Sequence, residues 1–267
     1  MIDNRTLITK AGLPRIQKKI DDLRGLGRNH FSLNVDGKRI GYCYVRKNAC
    51  SSFKKMFLDK SPHRADYHPD ERPIDFMRQH HRMNDKDFAD CDHIIFVYRD
   101  PIKRTLSMFR NKFIASTGAT DIHANFMQLE GVDPAHVSFR YFIEHYMQRR
   151  FSQLDRHVLP QSVHLRRAIY TDFVDIPDLY PRMCDILGKN IGDTYFRRPV
   201  NQTSHVQHIQ LNGAAELPIG DLRQLFADTG TMPDDASFLE PDLRDKIKAR
   251  YFADYDVIDR AKQASRQ

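Results

Sequence analysis

Two stretches of the 267-residue chain hold residues whose types and spacing suit phosphate binding: YCYVRKNACSSFKKMF at 42–57 and IIFVYRDPIKRTLSMFRNKF at 94–113. In the first, Arg46, Lys47, Asn48, Ala49 and Cys50 connect the end of an expected strand to an expected helix beginning at Ser51. The amides and positive dipole end of a helix N-terminus favour an anion. Lys47 adds a point charge and the hydroxyls of Ser51 and Ser52 add donors, which together make the parts of a phosphate cradle. It is not a Walker A loop, because G-x-x-x-x-G-K-[ST] is absent from the chain. Cys50 reads as a small filler rather than a nucleophile.

In the second stretch, residues 94–98 are apolar or aromatic throughout, the pattern of a strand covered on both faces. Arg99 follows at the strand's carboxyl end, where open α/β sheets bind ligands. Its planar fork stays charged and grips oxyanions with two bonds. Pro101 suits the first turn of a helix and Asp100 can cap it. Ile102, Leu106, Phe109 and Phe113 recur at helical spacing, and Ser107 lies two turns along. Taken alone this stretch is also an ordinary β–α turn with a basic helix; the upstream cradle favours the phosphate site. Between the two lies His80-His81, with His68 a weaker rival. A histidine has the pKa needed to take a proton from an attacking hydroxyl, although the pair also fits an exposed polar helix face.

The motifs carry a resemblance. Lys47-Asn48-Ala49-Cys50-Ser51-Ser52-Phe53-Lys54 resembles the 5′-phosphosulfate loop of the Golgi-type carbohydrate sulfotransferases, and the residues from Val97 to Phe113 look like their 3′-phosphate motif, R-D-P-x-x-R-x-x-S-x-x-R-N-K-F. Asp155, His157, Pro160 and Gln161 are similar to the D-x-H-x-x-P-Q segment of the chondroitin and related enzymes, residues 170–174 to their following strand, and 251–256 to their C-terminal Y-x-x-D-F-like helix. Arg46 stands where the family usually has Pro, and Phe53 where Trp is common.

The resemblance, covering about 40–258, implies a three-layer α/β domain with a central, mostly parallel sheet, similar in architecture to P-loop kinases. It implies transfer of a sulfuryl group from 3′-phosphoadenosine 5′-phosphosulfate to a carbohydrate hydroxyl. Residues 47–53 (Lys47, Asn48, Ala49, Cys50, Ser51, Ser52 and Phe53) would hold the 5′-phosphosulfate, with Lys47 stabilising developing charge. Arg99 and Ser107 would hold the 3′-phosphate, Arg198 would reach the nucleotide from a late loop, and His157 and Gln161 would contact nucleotide or acceptor. His80 or His81 would be the base, and no metal is required. The alternatives are a P-loop-like phosphotransferase using ATP, or a non-catalytic polyanion-binding module.

The rest of the chain must position these residues. Its length fits one α/β domain spanning 1–267. An amphipathic helix is expected at 13–24 and a hairpin at 31–45 around Asp36-Gly37, so that helix and hairpin occupy 1–45. Residues 61–73 read as a loop, and 114–136 as a lid or acceptor-binding insertion. The spacing of Phe139, Phe142, Ile143, Tyr146 and Met147 predicts a core-facing helix. A parallel strand is expected at 168–173, a helix at 177–187 stopped by Gly188, a basic loop at 197–204 and a C-terminal helix at 239–258. Residues 207–237 are uninformative.

A net charge of +7 suits polyanionic partners, but neither a nucleic-acid-binding motif nor interleaved aromatic platforms appear, so no nucleic acid is expected. Cys43, Cys50, Cys91 and Cys184 show no zinc spacing and no C-x-x-C pair. No apolar run of membrane-spanning length and no signal-peptide pattern occurs, so stable membrane insertion is not expected. A cytoplasmic enzyme is the expectation, a trimmed form of a membrane-anchored one the alternative. The sequence sets no oligomeric state.

Overall fold

The computed structural model describes residues 29–166, 170–198 and 206–264, except the side chains of residues 85, 86 and 264. In chain order it forms β1 (His30–Val35), β2 (Lys38–Cys43), α1 (Cys50–Lys60), α2 (Pro73–His80), α3 (Asp85–Asp90), β3 (His93–Tyr98), α4 (Pro101–Phe109), α5 (Thr120–Glu130), α6 (Phe139–Glu144), β4 (Asp172–Asp175), α7 (Leu179–Leu187), α8 (Lys189–Tyr195), β5 (Gln207–Ile209), α9 (Ile219–Thr229), β6 (Thr231–Pro233), α10 (Asp235–Phe238), α11 (Pro241–Arg250) and α12 (Phe252–Ala264). The expected helix at 13–24 lies outside the described residues. Where the length suggested one domain, the chain divides into two compact units, Met1–Tyr98 with Gln161–Val200, and Arg99–Pro160 with Asn201–Gln267.

The first unit holds an α/β sheet in the order β1-β2-β3-β4. Only the β1–β2 pair among the described residues of this sheet is antiparallel, and it is the expected hairpin. Asp36 (φ 49°) and Gly37 (φ 85°) make its two-residue turn, both in the left-handed region that a tight hairpin turn needs. β2, β3 and β4 run parallel, so their carboxyl ends emerge along one edge of the sheet. Alternation assigns the two faces. Phe31, Leu33, Ile40, Tyr42, Ile95, Val97 and Val174 meet α1, α2 and α7 through Phe53, Met56, Phe57, Met77, Leu179 and Met183. On the other face Met83, Phe88, Cys91 and Ile94 cluster. There Gly41 permits a close approach, since a Cβ would lie 3.1 Å from Met83 Cε and 3.3 Å from Cys91 Sγ. Helices thus flank a central, mostly parallel sheet. β4 begins at Asp172, later than the expected 168, and residues 167–169 lie outside the described set. Gly188 (φ 87°) ends α7 as expected.

The second unit is mostly helical, around a cluster of aromatic rings. Phe109 packs on Phe139 at 4.7 Å between centroids, Phe113 on Phe142 at 4.9 Å and Phe126 on Tyr146 at 5.0 Å. In the segment read as a lid or acceptor-binding insertion, α5 buries Ile122 and Phe126, a helical i, i+4 pair that its polar surroundings obscured. The expected C-terminal helix is two helices. The chain leaves helical geometry at Tyr251 (φ −110°, ψ 27°), whose buried hydroxyl donates to Val158 O at 2.6 Å. β5 and β6 pair in parallel across α9, a small β–α–β unit in the stretch the sequence left blank. No helix among the described residues is long and apolar enough to cross a membrane.

Candidate functional site: the loop after β2 and the turn after β3

β2 ends at Cys43, and the chain turns through 44–49 into α1 at the carboxyl edge of the sheet. Two residues of this loop have left-handed backbones, Lys47 (φ 71°) and Ala49 (φ 55°), while Asn48 between them does not. Neither is glycine, so each conformation costs about 1 kcal/mol. Alternating backbone signs of this kind turn successive amides inward and form an anion-binding nest. No side chain caps the N-terminus of α1, whereas Asp100 Oδ1 accepts from Lys103 N at 2.9 Å at the start of α4. Lys47 is itself only 8 % exposed and Ser51 half-buried. Strain, amides and buried cation converge on one short loop, which fits an anionic group such as a phosphate.

Asn48 holds that loop in place rather than facing a ligand. Fully buried, it donates from Nδ2 to Val97 O at 2.9 Å and to Gln161 Oε1 at 2.5 Å, tying the loop to the end of β3 and to the start of the segment leading to β4. Gln161 is 1 % exposed and therefore serves the scaffold where an acceptor contact was expected. Asn48→Ala would leave two buried acceptors without their donor, each costing ~1–3 kcal/mol. We expect a loss of about 2–4 kcal/mol in chemical denaturation; a change below about 0.5 kcal/mol would show that the clamp contributes nothing.

Two further residues of 47–53 turn inward. Phe53 is fully buried, stacked on Tyr42 at 3.8 Å and 5° and edge-on to Phe196 at 5.0 Å, so it fills the core. Ser52 is buried beside it, which leaves Ser51 as the more accessible hydroxyl. Ala49 and Cys50 are half-buried against the same core. A proximity of Cys50 to the Tyr44 hydroxyl adds to the burial that holds the phenol's pKa well above the usual range.

The histidine pair sits elsewhere. His81 is buried, with Nε2 2.8 Å from Ser61 Oγ and Nδ1 3.1 Å from Ser32 O. Ser61 is the residue just past the C-terminus of α1, while the Lys47 loop precedes its N-terminus. Eleven helical residues separate them by roughly 16 Å. His80 closes α2 at that same far end, its ring 4.7 Å from those of both Phe76 and His63. Neither imidazole reaches a group bound at the Lys47 loop, so the base expected here is not carried forward. Burial holds the His81 pKa below its ordinary 6.5. Such a group favours the unfolded state once that state takes up the proton. Its contribution is intact above about pH 6.5 and is lost as the pH falls from there through the depressed folded value. Burial lowers His123 in the same direction. Tm should therefore fall on acidification below about 6.5, and less steeply in His81→Gln; equal slopes for both proteins would remove His81 from the account.

In the second unit, Arg99 precedes α4 and is half-buried. Burial lowers its pKa, and Arg104 and Arg110 add to that repulsion against the opposing charges of Asp235 and Asp100. An anion beside Arg99 would offset the like charge of Arg104 and Arg110 and favour the charged guanidinium. Ser107 is half-buried two turns into α4. Arg104, by contrast, is fully buried and donates from Nη2 to His157 O at 3.2 Å, and Arg110 bonds Pro233 O twice, at 3.0 and 2.8 Å, and Asp235 at 2.7 Å. These two arginines of the motif shape the unit. His157 Nδ1 lies 2.6 Å from Asp155 Oδ1, a carboxylate that orients the ring. Arg198 is exposed and precedes residues outside the described set.

Residues 32–176, more than half of the chain, match the profile of the sulfotransferase family. The chain belongs to that family. The matched sulfotransferase region contains both loops, His157 and Gln161. Among curated proteins, carbohydrate sulfotransferase 14 of Mus musculus is 29 % identical over 201 residues, 65 % of this chain and 50 % of the relative. Carbohydrate sulfotransferase 14 of Homo sapiens matches to the same extent. This sulfotransferase-family chain thus spans about half the length of the curated relatives it matches. No solved structure gives a significant match.

Proposed function

We propose that this chain transfers a sulfuryl group from 3′-phosphoadenosine 5′-phosphosulfate to a hydroxyl of a carbohydrate. The observation that carries this is the strained loop at the carboxyl end of β2, with buried Lys47 and alternating backbone signs at an uncapped helix start, in a chain of the sulfotransferase family. The names of the curated relatives support a carbohydrate acceptor. The acceptor oxygen forms a bond to sulfur as the bond from sulfur to the bridging phosphate oxygen breaks. That oxygen keeps the electron pair, leaving adenosine 3′,5′-bisphosphate, and the acceptor proton passes to a base.

Lys47 and the loop amides would stabilise the charge growing on the bridging oxygen, a preorganised electrostatic role. Arg99 and Ser107 would hold the 3′-phosphate. His157, whose Nδ1 lies against Asp155, would contact nucleotide or acceptor.

Sulfur-labelled donor incubated with a panel of glycans tests the reaction. Labelled glycan and a Tm raised more by adenosine 3′,5′-bisphosphate than by ATP with magnesium support it. Unlabelled glycan with stronger stabilisation by magnesium ATP would overturn it in favour of a phosphotransferase.

A further inference from the structure

At the far end of α1 from the Lys47 loop, three metal-ligating side chains of the first unit face one another. His63 and Asp66 flank the 3-10 turn Arg64–Asp66. Residues three apart eclipse in such a turn, so the backbone itself aims both side chains the same way. His63 Nδ1 stands 3.5 Å from Asp66 Oδ2. His80, the last residue of α2, lays its ring on that of His63, with centroids 4.7 Å apart and planes at 25°. Ligand atoms from the three residues all fall within 4.8 Å of one another, and among the described residues no other group of three His, Cys, Asp or Glu side chains converges in this way.

The spacing is close to what one ion requires. Tetrahedral zinc with nitrogen and oxygen ligands at about 2.0–2.2 Å holds those atoms roughly 3.4 Å apart, and two imidazoles on it have centroids roughly 5 Å apart. The His63–Asp66 separation already meets the first figure and the ring separation lies near the second. Since no pair is more than 4.8 Å apart, the widest gap exceeds the zinc figure by at most roughly 1.4 Å.

The surroundings support a cation. His80 ends an eight-residue helix, where the dipole is negative. Arg64, the nearest cation in sequence, turns its guanidinium over the Tyr67 ring at 5.3 Å. Ser61 Oγ accepts from His63 N at 2.9 Å and meets His81 Nε2 at 2.8 Å, anchoring the turn beside α2. The His63 and Asp66 side chains are 48 % and 57 % exposed, so an ion enters from solvent and water can complete its shell.

We propose that His63, Asp66 and His80 form a site for a divalent transition metal of the zinc class, which staples the turn after α1 to the end of α2. Two imidazoles and one carboxylate suit zinc, and poorly suit magnesium or calcium. The site stands apart from the Lys47 loop by the length of α1 and does not depend on the reaction assigned to that loop.

The full chain, stripped with chelator, should bind one zinc when titrated with zinc sulfate alone. At hundredfold excess over Kd, Tm should rise by about 5 °C and return on adding EDTA. His63→Ala and Asp66→Asn, both at exposed positions that leave the fold intact, should each weaken binding at least about tenfold. Cobalt should give a tetrahedral ligand-field spectrum without a thiolate charge-transfer band. Absence of binding, or binding with unchanged affinity in the doubly substituted His63→Ala, His80→Ala chain, would overturn the proposal. The first outcome would leave His63 and Asp66 as a surface ion pair, and the second would move zinc to the cysteines or another site.

Discussion

Replacing Lys47 with alanine is expected to lower sulfuryl transfer by about two to three orders of magnitude, equivalent to ~2.7–4 kcal/mol of lost transition-state stabilisation. The bridging oxygen gains negative charge only as its bond to sulfur breaks, so a buried ammonium beside it acts on kcat more than on donor affinity. Lys47 is buried, where a charge acts through a lower effective dielectric than at the surface. The backbone provides a control. At φ 71° alanine is as strained as lysine, whereas glycine adopts that conformation at no steric cost. Lys47→Gly should thus lose as much activity as Lys47→Ala while being at least as stable. Activity recovered in the glycine variant would assign the role to loop geometry, and unchanged kcat in both would remove Lys47 from the mechanism.

Arg99→Ala should raise the Kd for adenosine 3′,5′-bisphosphate by about a hundredfold and leave that for adenosine 5′-diphosphate, which lacks a 3′-phosphate, within about twofold. Hydrogen bonds to charged groups contribute ~1.5–3 kcal/mol, and a guanidinium fork can place two on one phosphate. Burial and the neighbouring Arg104 and Arg110 lower the Arg99 pKa, so a dianion there removes a repulsion already present. Arg99→Lys keeps a charge but not the fork, and should fall between wild type and alanine. Calorimetric titration with both nucleotides decides the point. Equal losses for the two would mean that Arg99 does not read the 3′-phosphate.

These two residues were legible in the sequence because their positions follow from local chemistry. An apolar run followed by Asp100-Pro101 defines a strand end and a capped helix whatever the rest of the chain does, and the cap forms as expected. The same holds for the Asp36-Gly37 turn and the Gly188 stop. The helix within 114–136 was not legible for the converse reason. Its two core positions, Ile122 and Phe126, are sparse among polar residues, and only aromatic neighbours such as Phe113 and Tyr146 make a helix there worth burying.

Within the candidate site, residue types identified the loop but not the direction of each side chain. Asn48 and Gln161, 113 positions apart, look like two ligand contacts until their mutual hydrogen bond is seen. Phe53 belongs to the same loop motif as Asn48, yet Tyr42 and Phe196 enclose it in the core. Histidine is a residue type that suits a base, yet α1 carries the His80-His81 pair a helix length away from the Lys47 loop.

By itself the sequence determined the strand–loop–helix order, the parallel core strands and the loops that carry Lys47 and Arg99, because these rest on backbone preferences and hydrophobic period over a few neighbouring residues; the sulfotransferase resemblance rested on the residues of its motifs, such as Lys47 to Lys54 and Val97 to Phe113. Tertiary structure alone decided which polar side chains face solvent and which are spent on the scaffold, and it brought His63, Asp66 and His80 together. A polar group's role depends on what else is buried within hydrogen-bonding distance of it, and those partners come from segments tens to more than a hundred residues away.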